Sequence, residues 1–176
     1  MAQRNENWKG CAITQMAQEK ITFEQFMEAV DAKNKSFIQD LHSHLLNKGC
    51  KVTFEEKKSG FLASYKLGKP LRAIANFVFR KHGMLVRIYG EHASNYTVFL
   101  NTIPDGMTQS IRDAGICKRL VNNTCSPKCA GYDFMIGDEH FQKCRYNCFE
   151  FLVADENNPY IKSFVDHELN EREQGA

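Results

Sequence analysis

The sequence predicts an α+β domain in which a long N-terminal helix packs on an antiparallel sheet, followed by a C-terminal cysteine-rich hairpin and a terminal helix. Three observations predict this class: apolar residues recur at helical spacing over residues 22–49, they alternate over residues 51–90, and helical spacing returns near the C-terminus. The chain has 176 residues, 43% apolar and 25% charged, as expected of one globular domain. We expect a loosely ordered arm over residues 1–20 and a single domain over residues 21–176, with the cysteine-rich hairpin at residues 117–150.

The long helix is predicted to begin at a capping box. Thr22 and Gln25 have the spacing at which a hydroxyl and an amide side chain satisfy free backbone N–H groups at a helix start. An apolar stripe follows at helical spacing, made of Phe23, Phe26, Met27, Val30, Phe37, Ile38, Leu41 and Leu45. The stripe is interrupted near Asn34, where we expect a bend, and Gly49 supplies a left-handed C-terminal cap.

Four antiparallel strands are predicted between residues 51 and 90. Apolar and polar residues alternate over residues 51–55, and a Lys-Lys-Ser-Gly turn leads into a second strand at residues 61–67. Residues 73–79 and 84–89 flank an Arg-Lys-His-Gly turn, which is typical of a hairpin. The alternation indicates that one face of the sheet is covered, and the long helix is the expected cover.

Shorter helices are predicted after the sheet. Apolar residues between Tyr96 and Ile103 have helical spacing, and Pro104 ends that helix. Asp105 is placed to cap a further short helix. Near the C-terminus, Asn158-Pro159 is a helix start, because proline is tolerated in the first turn of a helix.

Composition excludes several classes of protein. The 23 basic and 21 acidic residues leave a formal net charge of +2, too small to indicate a nucleic-acid or membrane partner. No apolar run approaches the ~20 residues that cross a bilayer. The first residues are polar and lack the apolar stretch of a secretory signal, so a cytoplasmic location is expected. An odd count of seven cysteines then argues against a disulfide framework.

The cysteine pattern predicts a metal site. Four of the seven cysteines are spaced Cys125-x3-Cys129-x14-Cys144-x3-Cys148, two short-spaced pairs separated by a predicted hairpin. Tetrahedral zinc takes four soft donors at about 2.3 Å, often from two such pairs. We therefore expect a structural zinc ion held by these four thiolates, which would stabilise a hairpin with little core of its own. The competing interpretation is a set of reduced, mostly buried thiols.

One geometric condition decides the ligand set. In an extended strand, Cys144 and Cys148 would lie about 13 Å apart, whereas in a helical turn they would approach to ~6 Å. Only the turn permits both thiols to bind one ion. If Cys148 instead points into the core, Cys117 or His140 is the alternative fourth ligand.

The block from Cys117 to Phe151 resembles an uncharacterised family of small cysteine-motif proteins from anaerobic bacteria. The segments that carry the resemblance are Cys125-Ser126-Pro127-Lys128-Cys129, Gly131-Tyr132-Asp133-Phe134 and Lys143-Cys144-Arg145-Tyr146-Asn147. The resemblance extends over roughly residues 36–169. That family has no assigned activity, so the resemblance supports a single-domain architecture and implies no mechanism. It also implies that the position of Cys148 is not always cysteine, which keeps both alternative ligands open.

The sequence favours a non-enzymatic function, a cytoplasmic binding or regulatory module with a structural zinc site. A protein or small-molecule partner is expected rather than nucleic acid, with no membrane association. One alternative is a thiol-dependent enzyme with Cys117, Cys125 or Cys144 as nucleophile or redox thiol, assisted by His140 or His92. The other is a nucleic-acid-binding module that uses the basic residues around the cysteines, Lys118, Arg119, Lys128, Lys143 and Arg145.

Overall fold

The computed structural model describes residues 21–69 and 71–174, and these residues fold as an α+β domain. The arm expected at residues 1–20 lies outside the described residues, as does Cys11. None of the helices in the two described ranges is both long enough and apolar enough to cross a bilayer. The α+β class predicted from the sequence is therefore confirmed, whereas the N-terminal helix differs from the prediction.

In the described ranges, two helices and four consecutive strands come first, and short helices, three further strands and a terminal helix follow. The helices are α1 (Phe23–Glu28), α2 (Lys35–Asn47), α3 (Thr97–Leu100), α4 (Asp105–Asp113), α5 (Lys118–Asn122) and α6 (Asn158–Gln174). The strands are β1 (Lys51–Lys57), β2 (Gly60–Leu67), β3 (Arg72–Arg80), β4 (Gly83–Ile88), β5 (Tyr132–Ile136), β6 (Glu139–Lys143) and β7 (Glu150–Leu152). Short 3₁₀ turns at Ala32–Asn34 and Ala93–Asn95 precede α2 and α3.

The main sheet has five strands in the order β1-β2-β3-β4-β7, and every neighbouring pair is antiparallel. The first four strands form a meander within the region where alternation predicts them. The fifth strand, β7, comes from the far end of the chain and pairs with β4, with Val86 opposite Phe151. This long-range pairing brings the cysteine-rich half of the chain against the edge of the meander.

The long N-terminal helix predicted over residues 22–49 is wrong, because the structure breaks it into two helices. The capping box is present: the Gln25 N–H donates to Thr22 Oγ1 at 3.3 Å, and the Thr22 N–H donates to Gln25 Oε1 at 2.9 Å. Helix α1 then ends at Glu28, and Asp31 takes an extended conformation with φ −53° and ψ 137°. Aspartate and asparagine form helices weakly because their side chains bond nearby backbone groups. The break lets Val30 enter the core.

Helices α1, α2 and α6 cover one face of the main sheet. The ring centroids of Phe26 and Phe77 lie 6.3 Å apart, which joins α1 to β3. At the other end, Phe164 of α6 packs against Phe149, just before β7, with a centroid distance of 4.7 Å. Burial of these large rings on one face is the main favourable term in forming the domain.

The hairpin of β5 and β6 packs beside the main sheet through aromatic residues. The Tyr132 ring stacks on Phe149 with a centroid distance of 5.2 Å, and Phe134 lies 5.2 Å from the same ring. An isolated bridge between Ile116 and Lys143 ties the hairpin to the segment before α5. The hairpin is thereby fixed so that its first residue, Tyr132, and the residues after β6 lie next to the end of β4.

Candidate functional site

A cleft of about 640 Å³ lies where four separate segments of the chain meet. Its lining comes from the start of β3, from the segment after β4, from the loop that leads into β5, and from the segment after β6. The lining residues are Leu71, Arg72, Ala73, Glu91, His92, Lys128, Ala130, Gly131, Tyr132 and Arg145. We call this site the cationic cleft. Its volume falls within the ~300–1,000 Å³ typical of small-molecule sites.

Three cationic side chains and one carboxylate line the cleft. Glu91 accepts from Arg145 Nη2 at 2.8 Å and from Arg72 Nη1 at 3.4 Å. Arg172, behind the cleft wall, places Nη2 at 3.8 Å from the same carboxylate. Because Lys128 adds a further positive charge, the cations of the lining outnumber its one carboxylate. The cleft therefore carries a net positive charge that favours anions.

Arg145 and Tyr132 each hold a buried donor without a partner. Neither Nε of Arg145 nor the hydroxyl of Tyr132 finds a hydrogen-bond partner among the described residues. Burial acts against the charge of Arg145, but the Tyr132 oxygen and the Glu91 carboxylate hold its pKa above the usual value. Burial also raises the pKa of Tyr132, so its hydroxyl keeps its proton and stays a donor. Arg119 Nε and Arg172 Nη1 are further buried donors without a partner among the described residues, and such donors call for a partner, such as a water or an ion, from outside the fold.

A buried carboxylate supports the cleft from behind. Glu168 on α6 has 0% exposure. Its Oε1 accepts from Arg172 Nε at 2.7 Å, and its Oε2 accepts from the Tyr96 hydroxyl at 2.9 Å. The backbone N–H of His92 donates to Oε2 at 3.1 Å. A buried carboxylate is tolerated only when such donors replace its water, so this cluster fixes the segment after β4 against α6.

His92 connects the buried carboxylate to the cleft. Its Nδ1 lies 3.1 Å from Glu168 Oε1, and its ring forms part of the cleft wall with 38% of the side chain exposed. Among the described residues, none hydrogen-bonds Nε2. A carboxylate that holds one nitrogen of an imidazole fixes the orientation of the ring and leaves the other nitrogen for a ligand.

The structure places the five cysteines of the predicted zinc block in different environments. Cys125 is exposed, Cys129 and Cys144 are half-buried, and Cys117 and Cys148 are buried. The Cys148 N–H donates to the Cys144 carbonyl at 3.1 Å, so these two residues lie on one turn rather than on an extended strand.

The buried end of that turn is not open to solvent. Cys148 belongs to the hydrophobic core with 0% exposure, and burial raises its pKa well above the usual value. A thiol in this position resists the deprotonation that zinc binding requires. The Cys144–Cys148 segment is therefore a turn, as binding of one ion by both thiols requires. The burial of Cys148 nevertheless favours Cys117 or His140 as the fourth ligand.

The alternative ligands lie on opposite sides of the hairpin. Cys117 is buried against Gly131, where a Cβ built on the glycine would meet its Sγ at 2.5 Å. His140 is exposed, and its Nε2 lies 2.6 Å from Asp133 Oδ1. Within residues 21–69 and 71–174, no group of three or more His, Cys, Asp or Glu side chains is arranged to hold a metal ion. The zinc site at Cys125, Cys129, Cys144 and Cys148 stays a prediction.

The nucleic-acid-binding and thiol-enzyme alternatives both depend on side chains that make other contacts in the structure. Lys143 is 8% exposed and donates from Nζ to the carbonyls of Arg112 and Ala114, so it is not available to a nucleic-acid surface. Neither His92 nor His140 hydrogen-bonds a cysteine among the described residues, so the structure supplies no preformed thiol–imidazole pair.

Sequence reasoning did not identify the cationic cleft, although it named several of its residues singly. Arg145 and Lys128 were read as neighbours of the cysteines. The one available signal was the adjacent Glu91-His92 pair at the end of β4, where chemistry-bearing residues follow a buried strand.

Comparison with known proteins adds no relative: no protein-family profile matches the chain, and no curated protein or solved structure matches it significantly.

Proposed function

We propose that the protein is a binding module whose cationic cleft takes a small anionic ligand bearing a carboxylate or phosphate group. The observation that carries this proposal is the pair of unpartnered donors, Arg145 Nε and the Tyr132 hydroxyl, on a cleft whose lining is mainly cationic. Both donor atoms are buried behind the lining, so an acidic group seated there would accept from them after a small shift of the Arg145 and Tyr132 side chains. The function is thus of the binding class that the sequence favours, with a small molecule as partner.

The energetics of unpaired donors support a ligand. A buried donor without a partner costs roughly 1–3 kcal/mol, and more where the group is charged. An anion that accepts from these donors would recover that cost, and guanidinium groups match the two oxygens of carboxylates and phosphates. Glu91 already accepts hydrogen bonds from two of these guanidinium groups, at 2.8 Å from Arg145 and 3.4 Å from Arg72. The looser Arg72 contact is the one that a ligand would replace first.

The size of the site supports a small ligand rather than a polymer. Arg72, Lys128 and Arg145 converge on one cleft. Nucleic-acid surfaces instead spread many Lys and Arg contacts along a phosphate backbone. The further basic residue, Lys143, is buried on backbone carbonyls.

Isothermal titration with inorganic phosphate and with succinate tests the proposal. We expect saturable binding of at least one, and Arg72→Ala should weaken it about 5- to 10-fold because one charge-assisted hydrogen bond is lost. Arg112→Ala is the matched control, since Arg112 is also an exposed arginine in an ion pair, with Glu139 at 2.8 Å, outside the cleft. Absence of saturable binding of both anions at ~10 mM, where even weak sites fill, would contradict the proposal.

A structural zinc ion in the cysteine block is a second, separate proposal. Two tight turns support it: the Cys129 N–H donates to the Ser126 carbonyl at 3.0 Å, and the Cys148 N–H donates to the Cys144 carbonyl. A turn between the two cysteines of a pair is what the binding of one ion by both thiols would require. Metal analysis, described below, tests this proposal independently of anion binding.

A further inference from the structure

Glu168 determines which hydrogen-bonding group His92 presents to the cationic cleft. An ionised carboxylate has no proton to give, so Nδ1 of His92 must be the donor in the 3.1 Å contact with Oε1. In a neutral imidazole, only one nitrogen carries a proton. The other nitrogen, Nε2, then carries a lone pair and is an acceptor.

The contacts around Glu168 show that its carboxylate is ionised. Independently of the His92 ring, Oε1 accepts from Arg172 Nε at 2.7 Å, and Oε2 accepts from the Tyr96 hydroxyl and from the His92 backbone N–H. These three donors, one of them a charged guanidinium, stabilise the ionised carboxylate. Burial and the nearby Glu168 charge raise the pKa of Tyr96, so the tyrosine also keeps its proton.

The charge of the buried carboxylate is already balanced. Arg172 is 9% exposed on its side chain and lies four residues from Glu168 on the same helix. The other charged groups of the region are Glu91, Arg72, Arg145 and Lys128, which line the cleft with His92. Arg172 thus supplies a countercharge for Glu168 that does not depend on His92.

The cleft therefore holds donors and an acceptor in one cavity. Arg72 and Arg145 present guanidinium donors, whereas Nε2 of His92 is an acceptor in the neutral ring. We infer that the cleft selects anions that also carry an O–H or N–H donor, such as hydroxy acids or hydroxyalkyl phosphates. This inference rests on the proposed function and names the chemical class of its ligand.

An anion without an O–H or N–H group should bind more weakly, because it leaves His92 Nε2 without a hydrogen bond. A ligand that covers Nε2 with a methylene group removes its water and returns no hydrogen bond. Sites that bond a ligand hydroxyl reject the analogue lacking it far more strongly than apolar pockets reject a missing methylene. The hydroxyl of a matching ligand instead donates to Nε2 while its acidic group contacts the arginines.

Two matched pairs of probes test the inference: malate against succinate, and glycerol 3-phosphate against propyl phosphate. Each pair keeps the acidic group and differs in hydroxyl groups. All four titrations are made at a pH at which the ¹H–¹⁵N spectra described below show the neutral ring. We expect the hydroxylated member of at least one pair to bind about tenfold more tightly. Equal affinities within both pairs would overturn the inference while leaving the proposed function in place, and failure of all four probes to bind would overturn both.

The variant His92→Phe assigns the preference to the imidazole. Phenylalanine keeps an aromatic ring in the wall and has no acceptor, so we expect the two members of a pair to bind within about twofold of one another. A preference that survives in this variant would contradict the role of Nε2. The tautomer is checked without any substitution by ¹H–¹⁵N correlation spectra of the unliganded protein, where a proton on Nε2 rather than on Nδ1 in the neutral ring would overturn the inference.

Discussion

Glu168 and Arg172, one turn apart on α6, form an ion pair that is nearly closed to solvent. Arg172 Nε lies 2.7 Å from Glu168 Oε1, and the two side chains are 9% and 0% exposed. Arg172 also donates from Nη2 to the Tyr89 carbonyl at 3.0 Å. The pair therefore joins the last helix to the end of β4, and it fixes the wall of the cationic cleft from behind.

Removing the cation alone should destabilise the domain strongly. In Arg172→Met the Glu168 carboxylate stays buried without its countercharge, and loss of one member of a buried pair costs roughly 3–5 kcal/mol. Urea unfolding measures the difference in free energy. The double variant Glu168→Gln with Arg172→Met should recover part of the loss, because it removes the uncompensated charge.

An exposed pair on the same helix supplies the matched control. Lys162 Nζ lies 2.8 Å from Asp166 Oδ2 at the same sequence separation, but Lys162 is 49% exposed. Lys162→Met should cost less than ~1 kcal/mol. If Lys162→Met and Arg172→Met proved equally costly, burial would not be the reason for the importance of the Arg172 pair.

Gly131 should tolerate no side chain. It has φ +71°, and a Cβ there would meet Cys117 Sγ at 2.5 Å and Leu120 Cδ1 at 2.9 Å. Gly137 is the control, since it has φ +56° and nothing within 4 Å of the added atom. Both alanine variants pay about 1–2 kcal/mol for the left-handed backbone, but Gly131→Ala should cost roughly 1–3 kcal/mol more for the contact. Equal losses of unfolding free energy would contradict the close approach of Cys117.

Stability should fall as the pH falls below the usual titration range of histidine, because burial lowers the pKa of His42 in the folded state. The His42 ring stacks on Phe23 at 3.7 Å, and its Nδ1 lies 2.7 Å from the Tyr65 hydroxyl. The unfolded chain takes up a proton at about pH 6.5, where the folded chain does not. The unfolding free energy is therefore fully present above that pH and declines below it.

Unfolding in urea between about pH 7.5 and about pH 5.5 measures this decline. His42→Phe, which cannot titrate, should make the pH dependence shallower, although it leaves the Tyr65 hydroxyl unpaired at every pH. The exposed His82 is the control, and His82→Gln should leave the slope unchanged. A slope in His42→Phe equal to that of the wild type would show that other groups cause the decline.

Metal analysis tests the zinc proposal directly. Protein purified without added metal should carry about one zinc ion per chain. Cys129→Ser should remove it and lower Tm by roughly 5–10 °C, because a structural site contributes its binding energy to folding. Cys50, buried at the start of β1 and outside the block, is the control, so Cys50→Ser should keep the zinc ion. Wild-type protein that carries no zinc as purified, or a Cys129→Ser variant with the same Tm as wild type, would contradict the proposal.

Local patterns predicted much of the sheet and the start of the first helix. The alternation over residues 51–90 placed the meander, and the Thr22–Gln25 spacing placed the capping box that the structure contains. The break after Glu28 was missed because the apolar stripe continues across it. Val30 would reach the core either from a continuous helix or from a turn after α1. Its spacing does not distinguish the two, and only tertiary packing decides between them.

The cleft was beyond prediction because its residues share no local pattern. Arg72, Glu91, Lys128 and Arg145 lie on four segments whose meeting depends on the pairing of β7 with β4. The sequence contains no signal that pairs β7 with β4. Once that pairing is known, the position of Arg145 beside Glu91 follows from its place between β6 and β7.

The wide separation of these segments along the chain has a kinetic consequence. Contacts between distant segments form late, because closing a long loop costs entropy before the contacts contribute any favourable free energy. The meander of β1 to β4 can assemble from neighbouring hairpins, whereas the cleft needs residues from 71 to 145 in place together. A nascent or partly unfolded chain therefore forms the meander before it forms the cationic cleft. Anion binding would then require the completely folded domain.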